Sequence, residues 1–164
     1  MATLEEHAAV VGREVIDQLV TLARPLAGKR VVHVNSTRVG GGVAEILMNL
    51  VPLMQELGLH THWEVIQGDV PFFTVTKAFH NALQGSAADV RAELLDHYHE
   101  VNRQNALALR PVLEDADYVF VHDPQPAALL AHMPRKRGRW IWRCHVDVSH
   151  PHRPIWKFLR EIVG

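Results

Sequence analysis

Arg30-Val31-Val32-His33-Val34-Asn35-Ser36-Thr37-Arg38-Val39-Gly40-Gly41-Gly42-Val43-Ala44-Glu45-Ile46-Leu47 places three kinds of sequence in succession. The β-branched run Val31, Val32 and Val34 favours a strand buried on both faces. Three glycines follow after a short polar stretch. Ile46, Leu47, Leu50, Leu53, Met54 and Leu57 then recur as one apolar helical face, closed by Gly58. Strand, glycine loop and helix in that order form the first unit of a parallel α/β sheet.

The flanking sequence repeats this alternation. Upstream, Thr3 and Glu6 have capping-box spacing. Val10, Val11, Val15, Leu19 and Leu22 predict the buried face of one helix that Pro25 and Gly28 end. Downstream, Leu59 to Ile66 reads as a second strand, with Leu59, Thr61, Trp63 and Val65 on one side. Asp69 to Pro71 reads as a turn and Phe72 to Leu83 as a helix ending at Gly85. Ser86 and Asp89 are positioned to cap a longer helix running to about Arg110, with Pro111 to Asp115 as a connection. Tyr118 to Val121 predicts a third strand, Ala127 to Met133 a short helix, Trp140 to Cys144 a fourth strand and Pro154 to Val163 a last helix. The expected fold is α/β, a Rossmann-like open parallel sheet with helices on both faces. Residues 1–164 read as one domain without an internal repeat or dividing linker.

Composition narrows the function classes. A hydrophobic fraction of 48% is enough for a core and excludes an extensively disordered chain. Basic and acidic residues number 17 and 18, so binding nucleic acid by phosphate neutralisation is not expected. No apolar run reaches the roughly 18 residues of a membrane span, and Met1 to Glu6 has no basic leader region. These features predict a soluble, cytoplasmic domain. The single Cys144 excludes a disulfide framework and a Cys-rich zinc site. The 12 histidines are the one oddity. His60 and His62 would share a strand face, whereas His97 and His99 would point apart on a helix, and no metal site is expected.

Ligands of open parallel sheets bind beyond the carboxyl ends of the strands. Three of the expected strands deliver polar residues there: Asn35-Ser36-Thr37-Arg38 with the glycines, His122-Asp123-Pro124-Gln125, and Arg143-Cys144-His145-Val146-Asp147. Gly40, Gly41 and Gly42 lead into a helix, where free N–H groups favour an anion such as a diphosphate. The same glycines also suit a plain flexible turn. Asp123 could cap the next helix or accept hydrogen bonds from a polar ligand. His145 fits a hydrogen-bond donor, a general base or a core histidine. Arg143 could offset ligand charge or form a surface ion pair. Cys144 reads as a packed core residue rather than a nucleophile.

With these motifs together, His33 to Thr37 followed by Gly40 to Leu47 resembles the start of trehalose glycosyltransferring synthases and the related trehalose phosphorylases. These are family 4 retaining glycosyltransferases with the two-domain GT-B fold. Thr76 to Gly85, Val121 to Pro126 and Trp142 to Asp147 resemble the same family in the same order. The resemblance covers roughly residues 30 to 160. It implies an N-terminal, acceptor-side domain whose C-terminal donor-binding domain is absent from this chain, and inactivity of the chain alone. The implied reaction transfers glucose from a nucleoside diphosphate glucose (UDP- or ADP-glucose) to glucose, giving α,α-trehalose with retention. It needs no further cofactor, and no residue indicates a divalent cation.

By the same resemblance, Gly40, Gly41 and Gly42 lie near the donor diphosphate. His145 bonds the transferred sugar and supports its oxocarbenium-like state. Asp123 binds an acceptor hydroxyl, helped by Asn35, Lys77 and Gln125, with Arg143 behind them. The implied partners are glucose, the nucleotide sugar and the missing donor half. Nucleic acid and membrane are not among them. An apolar rim around Trp140, Trp142 and Trp156 would allow a homo-oligomer, although core packing suits the first two. A trehalose phosphorylase domain and a non-catalytic sugar- or nucleotide-binding module are the alternatives. A redox dinucleotide domain is disfavoured, because the G-x-G-x-x-G pattern and an acidic residue after Val65-Ile66-Gln67 are both missing.

Overall fold

The computed structural model describes residues 3–164. Four strands, β1 (Arg30–Asn35), β2 (His60–Val65), β3 (Tyr118–His122) and β4 (Arg139–Arg143), form one all-parallel sheet in the order β2-β1-β3-β4. Six α-helices accompany them: α1 (Leu4–Val11), α2 (Arg13–Ala23), α3 (Gly42–Glu56), α4 (Val70–Leu83), α5 (Ala92–Leu113) and α6 (Arg153–Val163). Short 3-10 turns span Arg24–Leu26 and Ala127–His132. Among the described residues, no helix is long and apolar enough to cross a membrane.

Strand alternation divides the interior in two. Val32, Val34, Val119 and Val121 enter the larger core with Phe72, Phe79, Tyr98, Leu113 and Leu159 of α4, α5 and α6. Val31, Tyr118 and Phe120 point to the opposite face, against Ala23, Leu26, Met54 and Leu57. Burial on both faces accounts for the near-continuous apolar character of β1. Trp140, Trp142 and Trp156 all pack, partly buried, against the larger core.

Several expectations need correction. The first helix is two helices, because Gly12 adopts φ 89° and breaks it. Its expected apolar face is open, with Val10 84% and Leu22 70% exposed; Ile16 and Ala23 are the buried positions of α2. The Thr3–Glu6 capping box is present. Asp69 does more than turn the chain, since its carboxylate accepts the Phe72 N–H at 2.9 Å and starts α4. Neither Ser86 nor Asp89 caps α5, which begins after Arg91 without a side-chain cap. It also runs through Pro111 to Leu113, at the cost of the hydrogen bond that a Pro111 N–H would have donated to Leu107 O.

Gly138 leads into β4 against the connection before β3. A Cβ there would overlap the backbone carbonyl oxygens of Ala116 and Asp117, and the latter already accepts the Arg139 N–H at 2.9 Å. We expect Gly138→Ala to destabilise the fold by roughly 1–3 kcal/mol, the usual cost of overpacking. An unchanged urea midpoint would contradict this packing.

Candidate functional site

The ends of β3 and β4 are joined through Asp123. Among the described residues it is the one non-glycine with positive φ, at 65°. Its N–H donates to the Arg143 carbonyl at 2.9 Å. Its own carbonyl accepts the Trp142 indole N–H at 2.9 Å, and Oδ1 accepts the His145 backbone N–H at 2.7 Å. The carboxylate therefore fixes the His145 backbone and does not cap the following 3-10 turn, whose N-cap is Pro126. Such a conformation costs about 1–2 kcal/mol for an L-residue, and it persists because three hydrogen bonds impose it.

His145 in turn meets His122, one of the polar residues expected at this edge, and behind it His33, which was not expected at the site. His122 Nδ1 lies 2.8 Å from His145 Nε2, and His33 Nδ1 lies 3.0 Å from His122 Nε2. The three rings are stacked in sequence, with centroids 5.3 and 5.1 Å apart. His33 and His122 are each only 2% exposed. Burial pushes His33 down to about 4. Burial, then the charges of His33, His145 and Arg143, pushes His122 down to about 3. Burial also lowers His145, against the opposing pull of Asp123, with Arg143 adding to the lowering. The signal for this cluster was a titratable residue inside each of two strands buried on both faces.

Gly40 and Gly41 adopt φ 76° and 90°, and a Cβ on any of the three glycines would meet no atom within 4 Å. Gly41 caps α3 without a side-chain hydrogen bond, so no capping side chain satisfies the first N–H groups of that helix. Trp63, also unanticipated at the site, braces this loop. Its indole N–H donates to Asn35 Oδ1 at 2.8 Å, and its ring lies 4.3 Å beneath the Arg38 guanidinium carbon. Asn35 is 3% exposed and donates from Nδ2 to Thr37 O at 2.8 Å, so its amide is engaged at both ends in shaping the loop.

Lys77 is exposed on α4 and makes no ion pair among the described residues. That helix starts beside the end of β2 and finishes against the segment after β4, where His152 N–H donates to Ala82 O at 2.8 Å. Gln125 is half-buried, and its backbone carbonyl accepts from Asn102 at 3.1 Å. Arg143 is exposed. Asp147 is turned onto Ser149, and Cys144 is half-buried with burial raising its thiol. The structure thus ties Asp123, Arg143 and His145 together directly. It places Asn35, Gly40, Gly41 and Gly42 at and after the end of β1 and Gln125 after the end of β3, without bonds to that group, and Lys77 on the exposed side of α4. Among the described residues, no group of three His, Cys, Asp or Glu could hold a metal ion.

Helix α5 supports both loops from below. Tyr98 Oη donates to Pro124 O at 2.8 Å and accepts Ala128 N–H at 3.2 Å. Asn105 clamps the Gln67 backbone at both N–H and C=O, each at 2.7 Å. A cavity of about 420 Å³ opens there, lined by Gln67, Asp69, His97 and Asn105 among others, and shares no residue with the histidine cluster. Within it Asp69 accepts from His97 at 2.8 Å.

The chain matches the family model described as trehalose synthase, N-terminal domain, over residues 33–164. It is 47% identical over 161 residues to the trehalose synthase of Pyrococcus horikoshii, covering 98% of this chain and 38% of that protein. Against the trehalose synthase of Rubrobacter xylanophilus it is 47% identical over 159 residues, covering 95% and 38%. The trehalose phosphorylase of Pleurotus sajor-caju is 30% identical over 178 residues, covering 95% and 23%. The chain therefore spans well under half the length of these relatives.

Two outcomes follow from the geometry. Tyr98→Phe leaves the buried Ala128 N–H without its partner and strips Pro124 O of one of its two donors, and should cost about 1–3 kcal/mol in urea denaturation; a wild-type midpoint would contradict the clamp. The buried histidines also make stability depend on pH. An unfolded chain protonates them near pH 6.5, but the folded chain only near 4 and 3. Their contribution is complete above pH 6.5 and is lost as pH falls towards those values, by about 2 kcal/mol per histidine at pH 5. The urea midpoint should fall between pH 7.5 and 5, and a flat profile would overturn the account.

Proposed function

The chain belongs to the family of trehalose synthase N-terminal domains, and we propose from that premise that it forms the acceptor-side half of a GT-B glycosyltransferase. The reaction is transfer of glucose from a nucleoside diphosphate glucose to glucose. The observation that carries the reading is Asp123, which holds the ends of β3 and β4 together and sets His145 at the ligand edge of the sheet. A C-terminal half would supply most of the nucleotide-sugar contacts, and the chain alone is inactive.

In the proposed step, the anomeric hydroxyl oxygen of the acceptor forms a bond to the donor anomeric carbon. It does so on the face from which the diphosphate leaves. The bond from that carbon to the phosphate oxygen breaks, and this oxygen takes the acceptor's proton, so configuration is retained. The protein's tasks are then alignment and stabilisation of phosphate charge. The uncapped start of α3 at Gly40, Gly41 and Gly42 faces the diphosphate. His145 bonds the transferred sugar. The free oxygen of Asp123, with Gln125 and Lys77, bonds the acceptor, and Asn35 acts through the loop it shapes. Arg143 adds positive charge behind His145.

The test is an NMR titration of the isotope-labelled chain with glucose and with UDP- or ADP-glucose, added separately. Glucose should shift the amides of Asp123, Gln125 and His145, and the nucleotide sugar those of Gly40, Gly41 and Gly42. Silence at Asp123, Gln125 and His145 with glucose would overturn the acceptor assignment. Trehalose formed by this chain without a second polypeptide would overturn its inactivity.

A further inference from the structure

The row of imidazoles ends on a sulfur. His33 Nε2, the nitrogen turned away from His122, lies 3.4 Å from Met54 Sδ on α3. From there the row runs across the sheet, from β1 through the end of β3 to the segment after β4.

Neutral imidazole carries one N–H and one lone pair, so each link needs a donor facing an acceptor. Only two proton orders satisfy both links without placing a charge in the row. In one, all three rings are protonated at Nε2, and every N–H points towards Met54. In the other, all three are protonated at Nδ1, and every N–H points towards His145 and the open edge. A thioether sulfur accepts but never donates. The second order would set the His33 Nε2 lone pair against the sulfur lone pairs, whereas the first gives that nitrogen a donor bond.

At the other end of the row the Asp123 charge acts on the His145 ring, but no hydrogen bond from the ring reaches that carboxylate. Asp123 Oδ1 is taken by the His145 backbone N–H at 2.7 Å, and among the described residues Asp123 makes no ion pair with the ring. Burial keeps His33 and His122 neutral at physiological pH, so a charged form does not break the alternation.

We infer that Met54 and His33, through His122, hold His145 as the Nε2–H tautomer and leave its Nδ1 a bare hydrogen-bond acceptor towards the ligand edge. Met54, His33 and His122 are thereby positioning residues. Resting on the functional reading above, this sets the polarity of the sugar contact. His145 accepts a hydrogen bond from a sugar hydroxyl, and it rejects a group that can only accept, such as a phosphate oxygen or a fluorine in the hydroxyl's place.

Ring-nitrogen NMR tests this on the chain without ligand, because protonated and bare imidazole nitrogens resonate far apart. His33, His122 and His145 should each show a protonated Nε2 and a bare Nδ1 near pH 7.5. A protonated Nδ1 on His145 overturns the inference. Met54→Leu keeps the volume and removes the acceptor, and such swaps usually cost under about 1.5 kcal/mol. In that variant the His145 nitrogen shifts should move towards each other as both orders become populated. Unchanged shifts would overturn the role of Met54. Because no sugar is present, a wrong tautomer beside intact glucose shifts condemns this inference alone. The right tautomer without glucose shifts condemns only the functional reading.

Discussion

The carboxylate of Asp123 bonded to the backbone of His145 is the constraint on which the ligand edge depends. Parallel strands end in loops that nothing in the ladder aligns. Here one residue aligns two of them. Its left-handed backbone lets N–H, C=O and side chain all reach the β4 side of the sheet. An ordinary extended residue at this position would carry the chain onward along β3. The direction of the His145 ring follows from this tie, and so does its contact with His122 at 2.8 Å.

The rest of the edge is held by groups that no ligand need touch. Tyr98 and Asn102 of α5 bond the loop after β3, and Asn105 bonds the loop after β2. Each is buried, so each bond forms away from competing water and its loss would strand a polar group. Trp63 does the same for the glycine loop from the outer strand. Loops that would otherwise be the mobile part of the fold are thereby referred to one helix and one strand. Such support is what a positioned site requires.

The sheet was legible because its central strands are buried, β1 on both faces, and apolar runs such as Val31-Val32 and Val119-Phe120-Val121 reveal that condition locally. Helix α3 was legible from its apolar period and its glycines. The N-terminal pair of helices was not. A single Gly12 at φ 89° redirects the chain, and periodicity says nothing about which face then meets the core. Val10 and Leu22 kept helical spacing and ended exposed. At the site, the polar residues after each strand were visible as a group, since topology alone brings them to one edge. The partners behind them were hidden, because pairing of His33, His122 and Met54 depends on strand order and on the face of the sheet. Neither is written in any local pattern.

That face explains why a row of histidines can lie in the interior at all. Three charged groups there would each carry a large desolvation cost. Neutral rings avoid it, because each satisfies its neighbour with one N–H and one lone pair. Aromatic stacking on Phe120, with a centroid distance of 4.9 Å from His33, adds apolar contact on the same side. Passing from one proton order to the other needs one proton to leave His33 Nε2 and another to enter at His145 Nδ1, and the Met54 sulfur cannot carry the first away. What the row can carry across the sheet is therefore orientation. An acceptor-only sulfur at its buried end is a sufficient device to set that orientation at the exposed one.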